Sequence, residues 1–177
     1  MVKIKTFVVG PLQTNCYLVY DEDGKTGFLI DPGLFDKRIT EEIKKNGIHI
    51  KNIINTHNHP DHTSGNSRFG YPVLIHADDG GTLKNGDIIS DDSISFEVIY
   101  TPGHTLGSIS LKMGNVIFTG DTLFKDGVGR TDLPGGSEKE LVNSVKRLME
   151  FDRSTKILPG HGPSSTIGDE RKACLNW

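Results

Sequence analysis

Four potential metal ligands crowd the six residues His57-Asn58-His59-Pro60-Asp61-His62, directly after the apolar pair Ile53-Ile54. No other stretch of the chain restricts its fold and chemistry so strongly. In extended backbone, alternate side chains point the same way, so His57 and His59 can grip one ion. A tight turn through Pro60 can then aim Asp61 and His62 elsewhere. Thiolates are absent here, which argues against a closed structural zinc site of the finger type.

Three further predicted strands end alike: Ile99-Tyr100-Thr101-Pro102-Gly103-His104, Ile117-Phe118-Thr119-Gly120-Asp121 and Ile157-Leu158-Pro159-Gly160-His161. Each is an apolar run, then a glycine, then a side chain able to bind metal. Glycine permits a sharp turn and lets the backbone lie close to an ion. If these strand ends converge on one edge, they add His104, Asp121 and His161 to the first cluster. Five of the seven histidines then share one explanation. The candidates exceed what one tetrahedral ion can use, and they suit two divalent ions with a carboxylate between them. Nitrogen and oxygen donors favour zinc, and iron and manganese also accept them.

Around these motifs the pattern is that of one domain over residues 1–177, with many strands and few helices. Cys16–Tyr20 and Gly27–Ile30 flank the turn Asp21-Glu22-Asp23-Gly24 and read as a hairpin. Helices are predicted over Asp36–Asn46, closed by Gly47, and from Ser137 to about Phe151, where Ser137 and Glu140 form a capping box. Sheet layers covered by helices fit this better than a bundle. The charge is −3, from 20 basic and 23 acidic residues, so nothing draws the chain to nucleic acid or to an anionic membrane. No apolar run reaches the roughly 20 residues that span a bilayer. Cys16 and Cys174 allow at most one bridge, and a reducing, cytoplasmic setting is expected.

Taken together, His57-Asn58-His59-Pro60-Asp61-His62 followed in order by His104, Asp121 and His161 resembles the metallo-β-lactamase superfamily. Closest is its glyoxalase II (hydroxyacylglutathione hydrolase)-like branch, in the short single-domain form. Gly103–Ser108, Phe118–Phe124, Gly129–Gly136, Leu158–Pro163 and Thr166–Arg171 carry that closer likeness. The resemblance implies an α/β fold, a four-layer αββα sandwich of mixed sheets with the metals at one edge. It also implies that His57, His59 and His104 hold one ion, that Asp61, His62 and His161 hold a second, and that Asp121 bridges them. His59 stands where flavodiiron relatives have Glu, and no ligand position is Cys as in the cysteine-ligand β-lactamases, which argues against both those groups.

The expected activity is hydrolysis of a small hydroxyacyl thioester by a metal-bridging hydroxide, with Asp61 and Asp121 as the catalytic carboxylates. A divalent metal brings the pKa of water down to about 7. A thiolate, with pKa near 8.5, leaves without help from an acid. Only Gly162–Trp177 follow the last ligand, too few for an appended glutathione-binding domain, so a different thiol carrier, or a lactone or ester, is also in view. The other reading is a mononuclear-iron persulfide dioxygenase. Arg130 is a candidate for gripping a substrate carboxylate or for pairing with Asp132. Asp31 is expected to orient a ligating histidine, Cys16 to be a buried thiol, and His49 and His76 to be surface residues.

Overall fold

The computed structural model describes residues 1–23, 25–91 and 93–174, so the turn glycine Gly24 and the side chain of Cys174 lie outside it. In chain order the elements are β1 (Val2–Val9), β2 (Thr14–Asp21), β3 (Thr26–Ile30), α1 (Lys37–Asn46), β4 (His49–Ile54), α2 (Pro60–Thr63), α3 (Asn66–Phe69) and β5 (Val73–Leu74). There follow β6 (Ile88–Asp91), β7 (Ile94–Tyr100), β8 (Ile109–Met113), β9 (Val116–Gly120), β10 (Leu123–Phe124), β11 (Gly127–Val128), α4 (Glu138–Leu148), β12 (Lys156–Pro159), β13 (Ser165–Thr166) and α5 (Ile167–Cys174).

Two mixed sheets result, ordered β1-β2-β3-β4-β5 and β13-β12-β9-β8-β7-β6, with β10 and β11 as a separate ribbon. In the first, β3, β4 and β5 run parallel. In the second, β8 is antiparallel to both β7 and β9, and β12 is parallel to β9. The C-terminal ends of β7, β9 and β12 therefore emerge at one edge. A bond from Ile109 N–H to Thr56 O, 2.8 Å long, ties the two sheets together there.

Burial explains the layering. Tyr17, Phe28 and Ile54 of the first sheet interlock with Phe96, Val98 and Phe118 of the second. Edge-to-face rings sit at Phe28–Phe96 (5.5 Å) and Tyr17–Phe118 (5.2 Å), the offset geometry that aromatic quadrupoles favour. On the far side of the first sheet, Ile39 and Ile43 of α1 bury against Leu18, Leu29 and Ile53. Beyond the second, Leu141, Val145 and Leu148 of α4 bury against Ile117 and Ile157. Each such aliphatic side chain contributes about 1.5–3 kcal/mol. The order is α, β, β, α, as the strand-rich pattern and the resemblance predict.

Helix ends follow their caps. Asp36 caps α1 through its side chain, so that helix starts one residue later than predicted, and Gly47 closes it in the left-handed conformation at φ 64°. Ser137 caps α4 by accepting from Glu140 N–H, but the reciprocal half of the predicted box is not made. Ser137 N–H instead donates to Gly103 O, which pins α4 to the turn before His104. The sequence reading missed α5.

Candidate metal centre

The candidate ligands lie in the segments that follow β4, β7, β9 and β12. His57 follows β4 by three residues, and His59 continues in extended backbone at φ −63°, ψ 143°. Pro60 then opens α2, where the missing N–H is no loss. Asp61 and His62 therefore lie on a helical turn, which is the tight turn expected through Pro60. Near β12 the register with β9 shifts after Leu158, and Gly160 N–H donates to Gly120 O at 2.8 Å. This brings Asp121 and His161 side by side. A Cβ on Gly160 would fall 2.1 Å from Asp121 Oδ1 and 2.8 Å from His62 Cε1, so only glycine permits the approach.

All seven predicted ligands come together, in two groups. The donor atoms of His57, His59 and His104 lie within 4.8 Å of one another, and so do those of Asp61, His62 and His161. Asp121 faces both: it is 3.6 Å from His104 Nε2, 3.4 Å from His62 Nε2 and 3.5 Å from His161 Nε2.

The outward-facing ring nitrogens fix the tautomers. His104 Nδ1–H donates to Arg130 O (2.8 Å) and His161 Nδ1–H to Leu12 O (3.0 Å). His62 Nδ1–H donates to Asp31 Oδ2 (3.0 Å). Thr56 Oγ1 donates to Asp31 Oδ2 at 2.6 Å and so accepts from His57 Nδ1–H at 3.1 Å. Every Nε2 in this set is thus turned inward. His62 Nε2 stands 3.2 Å from His161 Nε2, and His104 Nε2 stands 2.9 Å from His59 Nδ1. Lone pairs facing at such distances repel unless a cation or proton lies between them. His57 Nε2 and Asp121 Oδ1 are buried with no hydrogen-bond partner, a costly state that a bound cation would relieve. This donor set fits divalent ions.

The two groups differ electrostatically. Burial, reinforced by His62 and His104, drives the His57 imidazole well below its ordinary pKa. Burial and His104 lower His59 in the same way. His62 goes the other way: burial opposes its charge, but Asp31 and Asp121 outweigh it and raise the ring from 6.5 to about 10. His161 is raised by its bond to Asp61. Asp61 is held low, since His161 and His62 overcome the effect of burial.

Asp31 is the hub behind the centre. It adopts φ 46°, a left-handed conformation that few non-glycine residues take, and its buried carboxylate also accepts Thr56 N–H at 2.8 Å. It lies within reach of His57 and His62 as a possible donor, yet both its oxygens are already engaged by these neighbours, as befits a residue that orients histidines. Asp79 was not singled out in the sequence. It accepts Asn58 N–H (3.0 Å), Thr105 Oγ1–H (2.9 Å) and Gly107 N–H (3.0 Å). One carboxylate thereby ties the loop of His57 and His59 to the loop of His104. Its only sequence signal is an acid in the turn after β5.

Other candidates sort plainly. Arg130 clasps Asp132 through two bonds of 2.7 and 2.6 Å, both side chains exposed, while lining the mouth of the centre. Cys16 is fully buried, and burial raises its thiol. His49 is exposed. His76 is not the surface residue expected: it is buried, stacked on Tyr100 at 4.4 Å, and it caps the turn that carries Asp79.

The sequence profile described as the metallo-beta-lactamase superfamily matches residues 9–71 and 69–161. The chain belongs to that superfamily. Among its relatives, the hydroxyacylglutathione hydrolase GloC of Haemophilus influenzae is 30% identical, covering 96% of this chain and 95% of that protein. Among solved members of the superfamily, ETHE1 from Myxococcus xanthus superposes with TM-score 0.87 at 29% identity, over 97% of this chain and 82% of that one. TTHA1623 in a di-iron-bound form superposes with TM-score 0.83 at 31% identity, over 96% and 98%. The metallo-beta-lactamase fold is that of metal-binding hydrolases, and the αββα layering here is an instance of it.

Proposed function

We propose that this chain is a hydrolase of small thioesters, of the hydroxyacyl-thiol type, working with two divalent ions. Its ligands would be His57, His59 and His104 for one, Asp61, His62 and His161 for the other, and Asp121 for both. The observation that carries the reading is Asp121, whose carboxylate lies within 3.6 Å of histidines from both groups. Bound divalent ions supply Lewis acidity, making hydroxide available near neutral pH and stabilising developing negative charge. Zinc suits the nitrogen and oxygen donors, and iron or manganese would also be accepted.

The chain's own groups then set the leaving group. The mouth is lined by Leu12, Pro60, Arg130 and Leu133 around the ligands. Arg130 cannot give up its proton at working pH. Asp61 is held below the usual carboxylate range, so it stays ionised. Tyr17 OH is committed to Pro159 O (2.6 Å), and Tyr100 OH is committed to Asp78 and Leu106 O (2.8 Å each). With His59, Asp61, His104, Asp121 and His161 taken up as ligands, no general acid is left at this mouth among the described residues, so the group expelled has to leave as an anion. A thiolate does so readily, while an amine does not. Arg130 stands where it could exchange Asp132 for a carboxylate of the thiol carrier. The GloC relative supports a hydroxyacyl thioester. The setting proposed is cytoplasmic, without nucleic-acid or membrane partners, and no helix among the described residues is long and apolar enough to cross a membrane.

The ETHE1 likeness favours a second reading, a mononuclear-iron persulfide dioxygenase. Metal analysis of the purified protein, with lactoylglutathione, other thioesters, lactones and glutathione persulfide as substrates, separates the two. Two ions with thioester turnover is the expected result. One iron with oxygen consumption on the persulfide would overturn it.

A further inference from the structure

Beside the mouth lies a second concavity of about 450 Å³, walled by Pro11, Leu12, Leu34 and Pro60. Leu12 and Leu34 are 64% and 51% exposed, large apolar side chains left in water along one groove. Asp61 is the one ionisable side chain that lines it among the described residues. Leu12, Pro60 and Asp61 also line the mouth of the metal centre, so the groove opens directly into it. Arg130 lines the mouth but not the groove. The cleft therefore joins an apolar groove to a mouth that carries the Arg130–Asp132 pair.

The hydroxyls in the groove do not make it polar. Thr14 Oγ1 donates to Asp61 Oδ2 at 3.3 Å, and Ser64 Oγ donates to Pro60 O, so both protons are already spent. The wall is also fixed in place. Leu12 O accepts from His161 Nδ1, Thr14 bridges His161, and Leu34 Cβ lies over Gly10, where added Cβ would meet it at 3.4 Å. A rigid apolar trough that ends at a reacting centre selects for the apolar arm of whatever reacts there.

We propose that this groove seats an alkyl tail on the acyl side of the substrate, making the preferred acyl group longer and more apolar than a lactoyl unit. The assignment of the acyl side rests on the thioester reading above, with the thiol carrier's charge directed to Arg130. The apolar character of the groove does not.

Binding of straight-chain carboxylates, acetate through octanoate, to the metal-loaded protein tests the idea by calorimetry without any turnover. Affinity is expected to climb about fourfold per added methylene until the groove is filled, the ratio equivalent to roughly 0.8 kcal/mol per buried CH₂. Leu34→Asn and, independently, Leu12→Asn should flatten that climb while metal content stays at the wild-type value. Both side chains are exposed, so each variant is expected to fold. Equal affinity for acetate and octanoate overturns the proposal, as does a climb that survives both substitutions. Self-association abolished by Leu34→Asn would also overturn it, by showing that a second copy fills the groove. A chain-length climb without thioester turnover breaks the proposed activity and keeps the groove; turnover with flat binding does the reverse.

Discussion

The two ligand groups share an edge and a carboxylate but are held by opposite means. His57, His59 and His104 are supported by a hydroxyl, a backbone carbonyl and the Asp79 brace, and the first two are kept neutral by burial. Asp61, His62 and His161 are wired into carboxylates, and both of their histidines are pushed toward the protonated form. The first group is ready for a cation as it stands. The second must exchange protons for one. A single sandwich edge can thus offer two sites of unequal character, and the inequality comes from the carboxylates of the second, Asp31 behind His62 and Asp61 beside His161.

Removing the shared carboxylate should have the largest effect. Asp121→Ala is expected to lower kcat/KM by about a thousandfold or more, because several kcal/mol of charge stabilisation depend on it. Steady-state kinetics with metal analysis read this, and full activity with one ion would end the two-ion mechanism. Next comes Asp31→Ala, which frees both His62 and, through Thr56, His57. Losing such a partner typically costs 10–100-fold in metal affinity, and competition with a chelator should show the loss at both sites. Unchanged affinity would mean that the histidines orient themselves.

Asp79→Asn sharpens the contrast further. Only the first group leans on Asp79, so about a tenfold weaker hold on one ion is expected, with the other untouched. Titration of stripped protein, followed by spectroscopy of a cobalt-substituted sample, resolves the two sites. Equal weakening at both would erase the distinction drawn here.

The smallest effect is in stability against pH. His62 stands at about 10 against an ordinary 6.5, so the folded, metal-stripped protein keeps a proton that the unfolded chain sheds above 6.5. Its contribution is complete below pH 6.5 and is lost as pH rises toward 10. His57 and His59 are held below 6.5, so acid, not base, withdraws theirs. Unfolding midpoints of stripped protein should therefore fall from pH 7 to 9, and zinc-loaded protein should lose that slope. Parallel slopes would refute the assignment of charge to the second group.

The ligands were legible because their signal is local: an apolar run, a glycine, then a donor, repeated at His104, Asp121 and His161. The layering was legible because Ile39 and Ile43, and Leu141, Val145 and Leu148, repeat with helical spacing. Asp31 was legible in part, as an acid in a turn. Asp79 was not, because its partners Asn58, Thr105 and Gly107 are 21 to 28 residues away and only folding brings them to it. His76 misled for a similar reason. Its place at a strand end suggests water, but Tyr100 from the other sheet covers it. The turn through Pro60 was legible, but its helical form escaped because four residues carry no periodicity.

The bond from His161 to Leu12 O closes across 149 positions of sequence. Its carbonyl comes from the turn after the first strand and its ring from the turn after β12. A chain still emerging from synthesis can present His57, His59 and His62 early, but it can finish the second coordination group only after residue 161 has emerged and docked. Long closures of this kind are slow relative to local ones. Full metal loading would then report that the turn after β12 has docked, and the ion held by Asp61, His62 and His161 would act as a clasp between the segment after β4 and the segment after β12.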